Sequence, residues 1–367
     1  MKSEGDAVNM EPFVKMMQEV ADARNVAELR GFRDRAHGEF QRRLLFTQPL
    51  EWSRQVNAWH DSMIWRIVEW AEADLCEEGH GAAPVPFAFV LFGSGGRGEQ
   101  TLWSDQDNGI IYADPSSEEE KLAAEAYFPI LAQKITAHLE AAGYPPCSGG
   151  VICTNHQWMQ SISGYKQMLM GWLADPNWEH VRYLLIAADL RTVYGDEALG
   201  REVLDVLYSY VAAHPGMLEH MLHNTLHHKV SIGVFGQLIK ERYGEDAGGV
   251  EIKYGAYIPI VNGVRLLAVE AGIRSTSTEE RLQRLISDSK VEDEIGNDFL
   301  EALTIAMRLR SLTPYQLEAG HYSTRGKLSA EQLTKERMTE LKLCLRIGMD
   351  LQRYVKKSVQ KEMEKGE

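Results

Sequence analysis

The chain is poor in the features that announce several common classes of protein. It has only four cysteines, Cys76, Cys147, Cys153 and Cys344, in 367 residues, and no Cys-x-x-Cys pair. That spacing argues against a zinc knuckle and against a disulfide framework, and favours free thiols in a reducing compartment. Long apolar runs are also missing. The longest, such as Val85-Pro-Phe-Ala-Phe-Val-Leu-Phe92, are far too short for a membrane span, and the N-terminal segment has no apolar stretch like that of a signal peptide. A cytoplasmic protein without a membrane partner is expected. Basic residues are outnumbered, with 39 Lys and Arg against 53 Asp and Glu, for a net charge of -14. Bulk binding of nucleic acid needs clustered cations to neutralise phosphate, so it is not expected here. No internal repeat and no low-complexity tract occurs.

What is present reads as helices, a small sheet, and helices again. Residues 11–45 carry apolar positions at helical spacing, and a second helix is expected from Leu50 to Cys76, with Val56, Trp59, Met63, Ile67 and Trp70 on its apolar face. Gly and Pro residues end it. Residues 87–92 and 109–113 read as strands, and Val151–Asn155 as a third. Residues 116–142 read as a helix with an acidic start, kinked or split at Pro129. From Trp158 onward the chain reads as mainly helical, with Ala188–Asp196 closing one helix, loops at 244–249 and 320–327, and a last helix over 330–360 that frays into a charged tail. The expected fold class is α+β, and the expected segments are 1–80, 81–200 and 201–367.

The stretch Phe92-Gly-Ser-Gly-Gly-Arg-Gly-Glu-Gln-Thr-Leu-Trp-Ser-Asp-Gln-Asp-Asn108 carries the chemistry. Gly93, Gly95 and Gly98 satisfy the dinucleotide-binding pattern G-x-G-x-x-G, and Asp114 stands near the place of its ribose-binding acid. That pattern requires a crossover helix between two strands. Only ten residues, largely polar and turn-forming, separate Gly98 from Gly109, so the pattern fails. A second reading fits. Gly93, Ser94, Gly95 and Gly96 let backbone amides approach an anion. Asp105 and Asp107 alternate along an extended segment and face one side, as a divalent-metal pair would. Arg97 and Glu99 flank the turn as a brace.

This stretch resembles the signature of DNA polymerase β-like nucleotidyltransferases, and in particular PII-protein uridylyltransferases and glutamine synthetase adenylyltransferases. It is more similar still to nucleotidyltransferases of the signal-transduction type that pair this domain with a helical substrate-binding domain. The stretches "CSGGVICTNHQW", "ADLRTVYGD" and "VEIKYGAYIPIVNGVRLLAVEAGIRSTSTEERL" carry the same likeness, which runs from about Val26 to Val359. The resemblance implies transfer of a nucleoside monophosphate from ATP or another NTP to a hydroxyl of a protein or small molecule, with Mg²⁺ or Mn²⁺ as cofactor. It implies that residues 1–80 pack on a nucleotidyltransferase domain over 81–200, with the substrate-binding domain over 201–367. Asp105 and Asp107 would hold the metal, and Gly93, Ser94, Gly95, Gly96, Arg97 and Glu99 would serve the nucleotide. Oligomerisation stays open, a homo-oligomer included.

Two departures stand out. The family's third carboxylate has no clear counterpart: Ala141 and Ala142 occupy its place, with Glu140 beside them and Asp189 as a remoter candidate. A chain without it could bind nucleotide as a regulator or scaffold and transfer little. The sensor modules frequent in relatives are replaced here by N-terminal helices. Other groupings read as structural: the His220, His223, His227, His228 cluster, the His60-Asp61 pair, and a network of Asp189, Arg191 and Asp196. Lys253 and Arg265 either face nucleotide or pair with Glu251 and Glu270.

Overall fold

The computed structural model describes residues 4–228, 230–233, 237–318 and 321–366. The class is α+β. Among the described residues no helix is long and apolar enough to cross a membrane. The chain divides into two compact units. One comprises Met1–Tyr165, Arg191–Arg201 and Leu317–Tyr322, and the other Lys166–Leu190, Glu202–Gln316 and Ser323–Glu367.

The first unit opens with α1 (Glu4–Asp22), α2 (Val26–Arg43) and α3 (Pro49–Glu77). The expected helix over 11–45 is thus two helices. Asn25 separates them because its side chain accepts the Glu28 amide, capping α2 and stopping continuation from α1. The apolar face of α3 is as the spacing predicts, with Val56, Trp59, Met63 and Ile67 fully buried, although Trp70 is only partly so.

The sheet contains β1 (Phe87–Leu91), β2 (Asn108–Tyr112), β3 (Met159–Ser161) and β4 (Arg191–Gly195), in the order β3-β2-β1-β4. The continuous apolar run of β1 is buried at every position, as a central strand covered on both faces must be. It pairs antiparallel with both β2 and β4, and β2 pairs parallel with β3. Antiparallel pairing of β1 and β2 removes the crossover geometry on which dinucleotide binding depends. A single helical turn, α4 (Gly93–Gly96), follows β1. The longer helix α5 (Glu118–Ala141) is capped by Ser117 and runs on through Pro129 without splitting. Its buried residues Phe128, Leu131 and Ile135 join α3 in the core.

Two strand expectations are corrected. Val151–Asn155 is a turn, because Asn108 binds it through both its amide N–H to Val151 O and its Oδ1 from the Cys153 amide, leaving Met159–Ser161 to pair with β2. Residues 191–195 are not the end of a helix but the edge strand β4. Gly195 permits that pairing, since it has φ +84° and a Cβ there would lie 2.1 Å from Phe87 O.

The second unit is mainly helical. It holds α7 (Trp178–Ala187), α9 (Met217–Thr225), α10 (Ile258–Glu270), α11 (Thr278–Ser287), α12 (Asp293–Ser311) and α13 (Lys335–Gly366), while α6 (Ile162–Ala174) and α8 (Glu197–Ala213) begin in the first unit and end in the second. Apolar residues such as Ile260, Val264, Leu266 and Val269 bury α10 on all sides, and α12 and α13 pack around it. The charged tail does not fray where expected, as α13 continues to Gly366. Short strands β5 (Val250–Glu251) and β8 (Lys327–Leu328) pair in this unit; β6 (Gln316–Glu318) and β7 (His321–Ser323) pair as well, with Leu317–Tyr322 assigned to the first unit. The expected loop over 320–327 is therefore partly strand, and its first residue, Gly320, lies outside the described residues.

Candidate active site

The site is built where β1 ends beside the start of β2. The Phe92 amide donates to Asp107 O at 2.9 Å, which closes the ladder and sets the glycine turn against the metal-type carboxylates. Gly93 has φ +51°, and a Cβ on it would lie 2.7 Å from Asp107 Oδ2. Only glycine allows this approach. The amides of Gly93, Ser94 and Gly95 begin the turn, so none has an acceptor within it. Arg97 and Glu99 pair at 2.8 Å with both side chains buried.

Asp105 and Asp107 are half-buried and do converge. The third member is Cys147: one ligand atom from each of the three lies within 4.8 Å of the others, the only such grouping among the described residues. Bonds of about 2.0–2.3 Å from metal to oxygen or sulfur give donors around one ion a span of about that size. The donor set thus fits a divalent cation. Burial and the Asp107 carboxylate, to which the thiol is hydrogen bonded, push the Cys147 thiol up to about 12.

Neither expected third carboxylate joins them. Glu140 sits near the end of α5, exposed, 4.0 Å from His321. Asp189 is buried and held by two guanidiniums, Arg265 at 2.6 Å and Arg281 at 2.9 Å. Arg265 is therefore committed to Asp189 and Asn262, not to Glu270, which accepts from Ser358, and Lys253 lies over the Tyr254 ring. The network of Asp189, Arg191 and Asp196 does not form: Arg191 binds Asp61, and Asp196 accepts the Ala198 amide. The histidines form no metal-type grouping among the described residues. The helix α9 ends at Thr225, so His223 and His227 share no helical face. Both instead meet the Trp178 ring, and His228 stacks on Tyr254.

Of the residues that shape the site, Arg33 and Asn57 read in the sequence as ordinary helix positions, and His60 and Arg191 as members of structural groupings. Asn57 accepts the Gln100 amide and donates to Gln100 O. His60 Nε2 binds Thr101 O at 3.1 Å. A carbonyl only accepts, so Nε2 carries the proton and Nδ1 takes the Tyr144 hydroxyl at 2.7 Å. Burial, reinforced by Arg33, pushes His60 down to about 3, so it is neutral. Arg33 is itself buried over the Tyr144 ring at 3.7 Å and donates to Leu102 O and Ala142 O. Arg191 clamps both Asp61 oxygens at 2.8 Å and donates to Gly95 O and Gly96 O. The available signal was polarity within an apolar face: Asn57 and His60 are buried among Val56, Trp59 and Met63. Such groups must find partners, and here the partners are loop carbonyls.

Cys147 arrives by backbone pairing. Gln106 donates its amide to Pro145 O, and Asn108 donates its amide to Val151 O, so the segment between them is pinned alongside the two aspartates. The Gln106 side chain, between Asp105 and Asp107, turns away to bind Tyr144 O.

Residues 40–179 match the family model described as "Putative nucleotidyltransferase DUF294", and residues 215–359 match "Putative nucleotidyltransferase substrate binding domain". The chain belongs to this nucleotidyltransferase family. No curated protein matches it. The glycine turn, Asp105, Asp107 and Cys147 all fall inside the first match. As a nucleotidyltransferase, the protein takes an NTP as substrate, and enzymes of this kind generally use a divalent metal. Arg33 and His37 lie before the first match, yet Arg33 braces the loop that leads to Asp105.

Proposed function

We propose that this nucleotidyltransferase transfers a nucleoside monophosphate from an NTP to a hydroxyl of a protein or small molecule, in bacterial signalling or regulation, in the cytoplasm. The reading is carried by one observation: Asp105 and Asp107 converge beside a glycine turn whose first residue has no room for a side chain against Asp107. Asp105 and Asp107 hold the divalent ion, Mg²⁺ or Mn²⁺ on the family resemblance. When bound, that ion neutralises phosphate charge and lowers the cost of pyrophosphate departure. Gly93, Ser94, Gly95 and Gly96 hold the triphosphate through backbone amides and the Ser94 hydroxyl. Arg97 and Glu99 keep the turn in shape, and Arg191 fixes it from below through two carbonyls. The substrate-binding domain takes the acceptor.

Calorimetry with ATP, GTP, UTP and CTP, with and without divalent cation, tests this reading. NTP binding is expected to require the cation. Asp105→Asn and Asp107→Asn should each weaken cation-dependent NTP binding at least about 100-fold, while the cation-free protein melts within about 0.5 kcal/mol of wild type. Equal NTP binding in chelator would refute the reading.

A second reading, a nucleotide-binding regulator or scaffold with little transfer, is favoured by one observation. Neither Glu140 nor Asp189 joins the aspartate pair, so no third carboxylate is grouped with it among the described residues. Incubation with labelled NTP, cation and lysate separates the two: label on an acceptor means transfer, and cation-dependent binding without label means regulation.

A further inference from the structure

We propose that Cys147 is the third ligand of the metal site, a thiolate standing where the family resemblance calls for a carboxylate, and that the site therefore binds Zn²⁺ or Co²⁺ in preference to Mg²⁺. The inference rests on the reading of Asp105 and Asp107 as metal ligands and deepens it.

Three observations carry it. The sulfur of Cys147 and one oxygen of each aspartate share the span of a single ion. The position of the sulfur is fixed by the fold, because Pro145 and Val151 are bonded to Gln106 and Asn108 on either side of Asp107, and a turn closed by the Gly150 amide on Cys147 O lies between them. Independently, and for the aspartate pair alone, Gln100 is buried, with Oε1 lacking a hydrogen-bond partner among the described residues, and it lines a small cavity with Asp105 and Asp107 that Cys147 does not border. An orphaned buried acceptor costs free energy unless something supplies a donor. A water on the metal is such a donor.

Thiolate ligands favour Zn²⁺ and Co²⁺, whereas Mg²⁺ prefers an all-oxygen octahedron. Two oxygens and one sulfur also match the three-ligand pattern of catalytic zinc, which keeps a position open for substrate or water. On binding, the Cys147 S–H bond breaks. Its electron pair forms the metal–sulfur bond and the proton leaves to solvent, with no change of oxidation state. Mg²⁺ still binds, through the aspartates, and more weakly.

The test is a Co²⁺ titration of the metal-free full-length protein, read by absorption, with Mg²⁺ competition followed by calorimetry. Wild type should give a thiolate-to-cobalt charge-transfer band, retained in Cys76→Ser, which removes the exposed cysteine. Cys147→Ser should abolish the band and lower Co²⁺ affinity about 10–100-fold, with Mg²⁺ affinity changed less than about 3-fold. Cys147→Asp should reverse the preference toward Mg²⁺. Cys147→Ala keeps the test readable should Cys147→Ser fold poorly, and thermal melts identify that case. Co²⁺ binding that requires Asp105 and Asp107 but gives no charge-transfer band, or survives Cys147→Ser at full affinity, overturns the cysteine ligand and leaves the proposed function standing. Wild-type affinity for Co²⁺ and NTP in the Asp105→Asn, Asp107→Asn double variant overturns both.

Discussion

The two units bury charge and polarity for different ends. In the second unit a buried carboxylate meets buried guanidiniums: Asp189 is shared by Arg265 and Arg281, and the remaining donors go to Asn262 Oδ1, Ser275 O and Ala188 O. Charge is neutralised by charge, and the result ties α10 and α11 to the end of α7. The first unit has ion pairs too, Arg97 with Glu99 and Arg191 with Asp61, but there Arg33, Asn57, His60 and Arg191 are also aimed at backbone carbonyls of residues 95–102 and 142. That arrangement does not maximise pairing. It ties down the loop over residues 95–102, beside which two aspartates and a thiol face one another. Polar groups bonded to loop backbone beside converging carboxylates mark the candidate site, whereas mutually paired charges mark a scaffold.

Acid should divide the units most strongly. His60 is neutral in the fold and pushed down to about 3, against an unfolded value of 6.5. The unfolded chain therefore binds the extra proton first as pH falls. The contribution is whole above about pH 6.5 and is lost progressively down to about pH 3, by about 5 kcal/mol at most. Segment-resolved hydrogen exchange at pH 7 and pH 4 should show protection falling more in α2, α3 and residues 100–106 than in α10 and α11. In His60→Gln this part of the acid sensitivity should disappear. A uniform loss across both units would erase the distinction.

Asp189→Asn should be the costly aspartate substitution, at about 3–5 kcal/mol, because two buried guanidiniums lose their shared carboxylate. Denaturant melts measure it directly. Set beside the near-neutral effect expected of Asp105→Asn, it contrasts a structural acid with a functional one. A cost below about 1 kcal/mol would mean that the buried trio is no scaffold.

The finest probe is a pair of glycines. Gly93→Ala forces a methyl group onto Asp107 at φ +51° and should cost about 1–2 kcal/mol, with cation affinity down about 10-fold. Gly171, within α6 and with nothing near its missing Cβ, should accept alanine with a gain of up to about 1 kcal/mol. Melting and cation titration of both variants would sharpen the contrast, and opposite signs of the stability change are expected.

Much of the fold was legible in local pattern. The apolar spacing of α3, the buried run of β1 and the start of α5 are decided within a few residues, and the chain states them directly, whereas the local break at Asn25 between α1 and α2 is one that the apolar spacing passes over. The closeness of Gly93 to Asp107 was also implicit, in a glycine turn followed by alternating aspartates between two strands. The other failures are contacts between distant residues. Residues 191–195 become a strand only because β1 has a free edge, and Val151–Asn155 is no strand because Asn108 captures its backbone first. The His60-Asp61 pair looked like one motif. Its halves go separate ways, His60 to Thr101 O and Asp61 to Arg191, 130 positions along the chain.

By itself the sequence determined what local spacing can encode: an α+β class, a glycine turn at the end of a strand, and two carboxylates on one side of an extended segment. Only the tertiary structure decided which third donor stands beside them. Glu140 was nearest by motif, but the end of α5 carries it to the surface, while two backbone hydrogen bonds from the aspartate strand bring Cys147 into place. Side-chain alternation is a property of a single strand and can be read along it. The partner across a loop is set by backbone pairing between segments about forty residues apart, and no local pattern records it.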